Sequence, residues 1–210
     1  MQYTVTTPIG TKDITIEWPA NFKKVAILVS GGFDSALLLW LYANLQIPEG
    51  CSLLAVTTDR GRGAKEFAKN IVKLVSEQTG TRIEHVILPV APMTDHSIQV
   101  RGPVRQALDR KMFDCAICAD TTNPDIELNG VAPNRLPVEE QHTKTQWRFP
   151  FLHVDKSYTV QLVNDLGLDW VMELSHTCTE SSAYRCNTCW QCQERAWAFN
   201  QTNLIDIGKF

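Results

Sequence analysis

With 210 residues and a formal net charge of −3, the chain is long enough for one domain with a sizeable core and small appendages, and it has no basic block arguing for nonspecific nucleic-acid binding. A local nucleic-acid site stays open, but no apolar run reaches the length needed to cross a bilayer. Met1-Gln2-Tyr3-Thr4-Val5 lacks the basic and apolar regions of a secretory leader, so the expectation is a cytoplasmic chain, in which seven cysteines favour metal over disulfides.

Residues Tyr3 to Thr7 alternate, Pro8-Ile9-Gly10-Thr11 reads as a turn, and Ile14, Ile16 and Trp18 alternate again. This predicts an N-terminal β-hairpin over 1–24, an appendage covering a sheet edge or meeting another subunit. Val25-Ala26-Ile27-Leu28-Val29 is short, β-branched and apolar on both faces, as a central parallel strand should be. A helix from Ala36 to Leu45 follows, with Leu37, Leu38, Leu41 and Leu45 on its period. Leu53 to Thr57 reads as the second parallel strand. Ala64 to Gln78 is an amphipathic helix with Phe67, Ile71, Leu74 and Val75 inward and Gly80 closing it, and Ile83 to Leu88 is the third strand.

A helix is expected from Pro103 to Met112 and a fourth strand from Asp114 to Ala119. From Asp120 to Gln146 the chain is polar and holds Pro124, Pro133 and Pro137, a loop of the length that usually carries function. Phe149-Pro150-Phe151-Leu152 returns to the core. Ser157 to Leu166 is helical with Gly167 beyond it, and Trp170 to Leu174 reads as a short final strand. Alternating strands and helices predict an α/β fold with a doubly wound parallel sheet, in which ligands bind beyond the carboxyl ends of the strands. The loops at Ser30, Thr58 and Asp120 leave those ends and should meet over one pocket.

Ser30-Gly31-Gly32-Phe33-Asp34-Ser35 lies between the first strand and its helix. Its glycines allow a sharp turn and close approach to a ligand, and Asp34 or Ser35 can cap the helix. Backbone N–H groups, hydroxyls and a helix N-terminus then converge on a phosphate-sized site, although two glycines alone also suit an ordinary strand-turn-helix corner. No Gly-Lys-Ser/Thr follows at Walker A spacing.

Near the C-terminus, Cys178, Cys186, Cys189 and Cys192 form C-x7-C-x2-C-x2-C. Four thiolates so spaced suit a closed structural zinc site; an iron–sulfur cluster or a chance cluster of buried thiols are the alternatives. Cys115 and Cys118 share C-x2-C spacing but sit on a strand, where residues three apart face opposite ways, so they read as buried thiols. Cys51 reads as a lone core or turn cysteine.

Ser-Gly-Gly-x-Asp-Ser after a first strand resembles the pyrophosphate loop of the N-type ATP pyrophosphatases, the PP-loop superfamily. Phe149-Pro150-Phe151-Leu152, Asp155-Lys156-Ser157, Leu166-Gly167, Ser175-His176-Thr177-Cys178 and the last three cysteines with Arg195 come in an order that resembles the 7-cyano-7-deazaguanine synthase family. The resemblance spans about Val25 to Arg195. It implies an adenine nucleotide α-hydrolase-like domain over 25–174 and a zinc-binding segment over 175–210. It also implies a homodimer that uses ATP, Mg2+ and ammonia to turn 7-carboxy-7-deazaguanine into an amide and then a nitrile, with Zn2+ on Cys178, Cys186, Cys189 and Cys192. The nucleotide would be bound by Val29, Ser30, Gly31, Gly32, Phe33, Asp34, Ser35 and Thr57, with Asp34, Ser35 and Lys156 catalytic. Without the resemblance, Lys156 reads as a solvated lysine at a helix start.

The chain departs from that pattern in two loops. Asp59-Arg60-Gly61-Arg62-Gly63 keeps a Gly-Arg but lacks the aromatic-Gly-Gln-Arg-His-like stretch, and Asp120-Thr121-Thr122-Asn123-Pro124-Asp125 lacks the aromatic residues of the substrate segment. A related adenylating enzyme with another acceptor is therefore the second reading: a modified nucleobase, a tRNA, with Cys118 as the candidate thiolating cysteine, or a protein terminus. A nonenzymatic nucleotide-binding module is the third, and intact Asp34 and Ser35 argue against it.

Overall fold

The structure is a computed structural model that describes residues 1–59, 63–90, 96–128, 146–181 and 183–209, with the backbone alone for 96–100. Positions 60–62, which hold Arg60, Gly61 and Arg62 of the first divergent loop, and the stretch 129–145, which holds much of the long polar segment, lie outside the described residues.

The N-terminal hairpin pairs β1 (Gln2–Thr7) with β2 (Gly10–Thr15) in antiparallel register, Thr7 opposite Gly10. The main sheet has five strands: β3 (Lys24–Leu28), β4 (Ser52–Asp59), β5 (Ile83–Pro89), β6 (Cys115–Ile117) and β7 (Trp147–Arg148). All pair in parallel, in the order β5-β4-β3-β6-β7. The central strand β3 is apolar on both sides because both sides are covered. Val25 and Ile27 join one core with α1 (Phe33–Ala43), α2 (Ala64–Thr79), α4 (Lys156–Asp165), α5 (Asp169–Leu174) and α6 (Trp190–Thr202). Ala26 and Leu28 face a second core with Val104, Ala107 and Leu108 of α3 (His96–Asp109). The sheet is thus doubly wound.

The chain moves outward from β3 to β4 and β5, then returns across the sheet to β6. The loops after β3 and β6 therefore leave neighbouring strands in opposite directions, the crevice where open parallel sheets bind ligands. The hairpin is not peripheral: Val5, Ile14 and Ile16 are at most 1% exposed in the main core, and β1 packs on α4.

Three expectations are corrected. Trp170 to Leu174 is helix α5, not a strand: Leu168, Val171, Met172 and Ser175 are the buried positions, a helical spacing that the run of apolar residues concealed. Helix α3 begins at His96, with Pro103 inside it and not at its start. Neither Asp34 nor Ser35 caps α1; the N-cap is Gly32, which offers no side chain, and both polar residues lie in the first turn. The two-residue strand β7 had not been expected.

Candidate active site and metal centre

Gly31 has φ +84°, a left-handed conformation that favours glycine. A Cβ there would lie 2.8 Å from Phe67 Cβ and 3.1 Å from the Ala64 carbonyl oxygen, so α2 presses directly on the loop. The Gly31 carbonyl accepts a 2.8 Å hydrogen bond from the His176 N–H, and the His176 ring meets Phe67 edge-on at 4.6 Å. Inside the turn, Ser35 Oγ donates to the Gly32 carbonyl at 2.9 Å and accepts from the Ser30 N–H at 3.2 Å. Ser30 and Ser35 hydroxyls lie 3.2 Å apart. With no side chain capping α1, the N–H groups of its first turn remain for an incoming anion.

Asp34 points toward α4. Its Oδ2 accepts from Lys156 Nζ and its Oδ1 from Thr159 Oγ1 at 2.7 Å. Lys156 is only 3% exposed, and Glu194 Oε2 lies 3.3 Å from its Nζ. Solvated-lysine chemistry does not apply to it. Lys156 occupies the first helical position after the N-cap Asp155, where the helix dipole repels a cation, so the two carboxylates compensate for both burial and dipole.

Val29, Phe33 and Thr57 are each 1% exposed. They support the loop from beneath, and only their backbone could face a ligand. Thr57 Oγ1 donates to the Val29 carbonyl at 2.7 Å, tying β4 to the exit of β3. The Phe33 ring packs edge-on against Phe199 and lies 5.3 Å from the Arg195 guanidinium. Arg195 is fully buried: it donates to Asp206, Ser175, Thr177 and the Met172 carbonyl.

The exit of β6 holds a second polar group. Asp120 accepts from Arg101 at 2.9 Å and from the Cys118 thiol at 3.2 Å. Burial, and then the Asp120 charge, push the Cys118 thiol well above its ordinary value. Cys115 packs in one core and Cys118 against the other, as strand geometry requires.

The sulfurs of Cys178, Cys186, Cys189 and Cys192 all lie within 4.8 Å of one another. Tetrahedral Zn–S bonds of about 2.3 Å put sulfurs about 3.8 Å apart, so a small adjustment closes the set on one ion. Backbone N–H groups of Glu180 and Ser181 point at Cys178 Sγ, and those of Thr188 and Cys189 at Cys186 Sγ, the outer hydrogen bonding that thiolates need. Hydrogen bonding from Thr188 brings Cys186 down to about 6, whereas burial and the Cys189 thiol push Cys192 up. The donor set suits zinc and leaves no open coordination position.

Of the residues singled out from sequence, the structure brings Asp34 and Lys156 together beside the loop and gathers the four cysteines. The sequence reading missed Thr159 and Glu194. Thr159 follows Lys156 by three residues on one helix face, a spacing that could have drawn attention to it; nothing local marks Glu194.

Fold and site define a parallel-sheet α/β protein with a glycine-serine loop at the switch point and a four-cysteine cluster in the segment that follows the His176 contact to that loop. A family model described as "Queuosine biosynthesis protein QueC" matches residues 121–203. The chain is 25% identical to 7-cyano-7-deazaguanine synthase of Persephonella marina over 87% of its own length and 94% of that protein. It is 24% identical to that of Clostridium kluyveri, covering 90% of the chain and 98% of the relative. It is 21% identical to 7-cyano-7-deazaguanine synthase 1 of Sulfurisphaera tokodaii, over 89% and 98%. The chain is thus similar to QueC proteins, through the family model over its C-terminal part and through distant relatives over most of its length. Among solved structures, NMN synthetase from Francisella tularensis superposes with TM-score 0.48 at 14% identity, covering 88% of this chain and 79% of that one.

Proposed function

We propose that this protein converts 7-carboxy-7-deazaguanine, ATP and ammonia into the amide or the nitrile, releasing AMP and pyrophosphate. The observation carrying this reading is the meeting of Asp34 and Lys156, 122 residues apart in sequence, beside a glycine-serine loop in a chain similar to the QueC family.

A carboxylate is a poor electrophile because its charge is delocalised and its oxygen leaves badly. One carboxylate oxygen attacks the α phosphorus of ATP, the bond to the β-phosphate oxygen breaks, and pyrophosphate departs. Ammonia then attacks the acyl carbon, AMP leaves with the bonding pair, and the ammonium-like nitrogen loses a proton. For the nitrile, the amide oxygen is adenylated by a second ATP and lost with AMP, and the nitrogen gives up two protons. In this reading Ser30, Gly31, Gly32 and the first turn of α1 hold the phosphates. Ser35 keeps the turn closed, and Lys156 faces the charge that develops on leaving pyrophosphate. Asp34 is the residue for Mg2+, which supplies charge neutralisation at the phosphates. Zinc on Cys178, Cys186, Cys189 and Cys192 supplies structure.

A second reading keeps the adenylation and changes the acceptor. It is favoured by the exit of β6, where Thr121 is 0% exposed with its hydroxyl lacking a partner among the described residues, and Asp120 is held by Arg101 in place of the family's aromatic segment. Thiol transfer by Cys118 is disfavoured, because its raised pKa opposes the thiolate.

A mass-spectrometric assay with ATP, ammonium and a panel of acids tests the proposal. AMP and pyrophosphate should form with 7-carboxy-7-deazaguanine and not without it, and Asp34→Ala should abolish turnover while the fold persists. ADP as product would contradict the proposal. AMP formed only with another acceptor would retire the deazaguanine reading in favour of the second.

A further inference from the structure

Helix α6 carries three kinds of side chain within one turn: the Cys192 thiol, the Glu194 carboxylate and the Arg195 guanidinium. Cys192 belongs to the four-sulfur cluster, Arg195 lies over Phe33 of the loop, and Glu194 reaches Lys156. Glu194 is 1% exposed and Lys156 3%, so this is a buried ion pair, and α6 is anchored at its start by Cys189 and Cys192. Lys156 thus has two carboxylates on it, from different elements. Those two carboxylates differ in surroundings. Asp34 sits in the first turn of α1 beside the loop, 14% exposed at its side chain, and reaches solvent more than Glu194 does at 1%.

We propose that Glu194 is a positioning residue: it is the permanent counterion of Lys156, which frees Asp34 to exchange Lys156 for the cation that accompanies a bound nucleotide. This rests on the nucleotide reading given above. The physical reason is charge balance. When Asp34 turns to a divalent cation, Lys156 loses one counterion inside a poorly solvated site at the repelling end of a helix. Glu194 keeps that ammonium paired and aimed at the loop. With glutamine in its place, Lys156 loses one of these two carboxylates, and taking Asp34 away for a cation removes the other. The sequence could not show this, because Glu194 and Lys156 are brought together only by packing of α4 against α6.

Isothermal titration of the zinc-loaded protein with ATP, with magnesium and with EDTA, tests the assignment. Glu194→Gln should bind ATP with magnesium about tenfold more weakly than wild type, and Glu194→Asp about threefold more weakly. With EDTA, wild type and Glu194→Gln should differ by less than about threefold, because Asp34 then has no cation to receive. In turnover, KM for ATP should rise while kcat changes less. A merely structural role would weaken binding equally with and without magnesium, and that result overturns the proposal. So does binding by Glu194→Gln that equals or exceeds wild type. If Glu194→Gln does not fold, Glu194→Asp decides: binding equal to wild type overturns the proposal, and magnesium-dependent weakening supports it. Failure of wild type itself to bind ATP would sink the nucleotide reading and this inference with it, whereas wild-type binding with unchanged variants sinks this inference alone.

Discussion

Asp206 shows how single residues tie the C-terminal tail to the site. It accepts hydrogen bonds from Arg195 Nε and Nη2 at 2.8 and 2.9 Å, and from Arg185. Burial alone would push its carboxyl up, but the hydrogen bonds and charges of Arg195 and Arg185 override that and hold it below the ordinary 3.8. A carboxylate with a depressed folded pKa contributes stability that is complete above its unfolded value and lost as pH falls through its folded value. Asp206→Asn should therefore cost about 3 kcal/mol near neutrality, because it leaves buried Arg195 without its anion. The gap between variant and wild type should close as pH drops below 3.8, which denaturant titrations across pH would show. At this scale the sequence exposed the residues with local motifs. Ser30 to Ser35 and the cysteines are contiguous or nearly so. Arg195 was picked out only by family resemblance, and the partners that give it meaning, Phe33 and Asp206, are remote in sequence.

Among the elements, α6 links the cysteine cluster and the loop. Its N-cap is Cys189, its first turn holds Cys192, and its next residues reach Lys156 and Phe33. Removing one sulfur should loosen more than the metal. Cys189→Ser should lower zinc content from about one per chain toward zero and reduce stability by several kcal/mol, as metal binding is coupled to folding. Metal analysis and thermal unfolding check this; full stability without metal, or an iron–sulfur absorption spectrum, would contradict it. The error over α5 belongs to this scale. Trp170-Val171-Met172 is apolar and short, and such a run carries no period of its own. Only the flanking buried positions, Leu168 and Ser175, reveal the helical spacing.

For the whole molecule, the hairpin was expected as an appendage, yet Ile14 and Ile16 are 0% exposed and share the core of α1 and α4. Truncating Ile14 to alanine should cost about 2–4 kcal/mol by lost burial and a residual cavity, read from the denaturant midpoint at unchanged slope. A peripheral hairpin would give under about 1 kcal/mol, as surface changes do.

The sequence by itself determined the doubly wound sheet, the glycine-serine loop and the four-sulfur centre. Each rests on local information: both-sided apolar strands alternating with periodic helices, backbone freedom at Gly31, and closely spaced thiols. Tertiary structure alone decided what stands around the loop. Lys156 reads locally as a solvated residue at a helix start, and nothing local marks Glu194. Packing of α4 against α6 and α1 buries Lys156 with Asp34 and Glu194 both on its ammonium. Ion pairing across 122 residues has no periodicity to read, because it depends on where helices pack and not on what they contain.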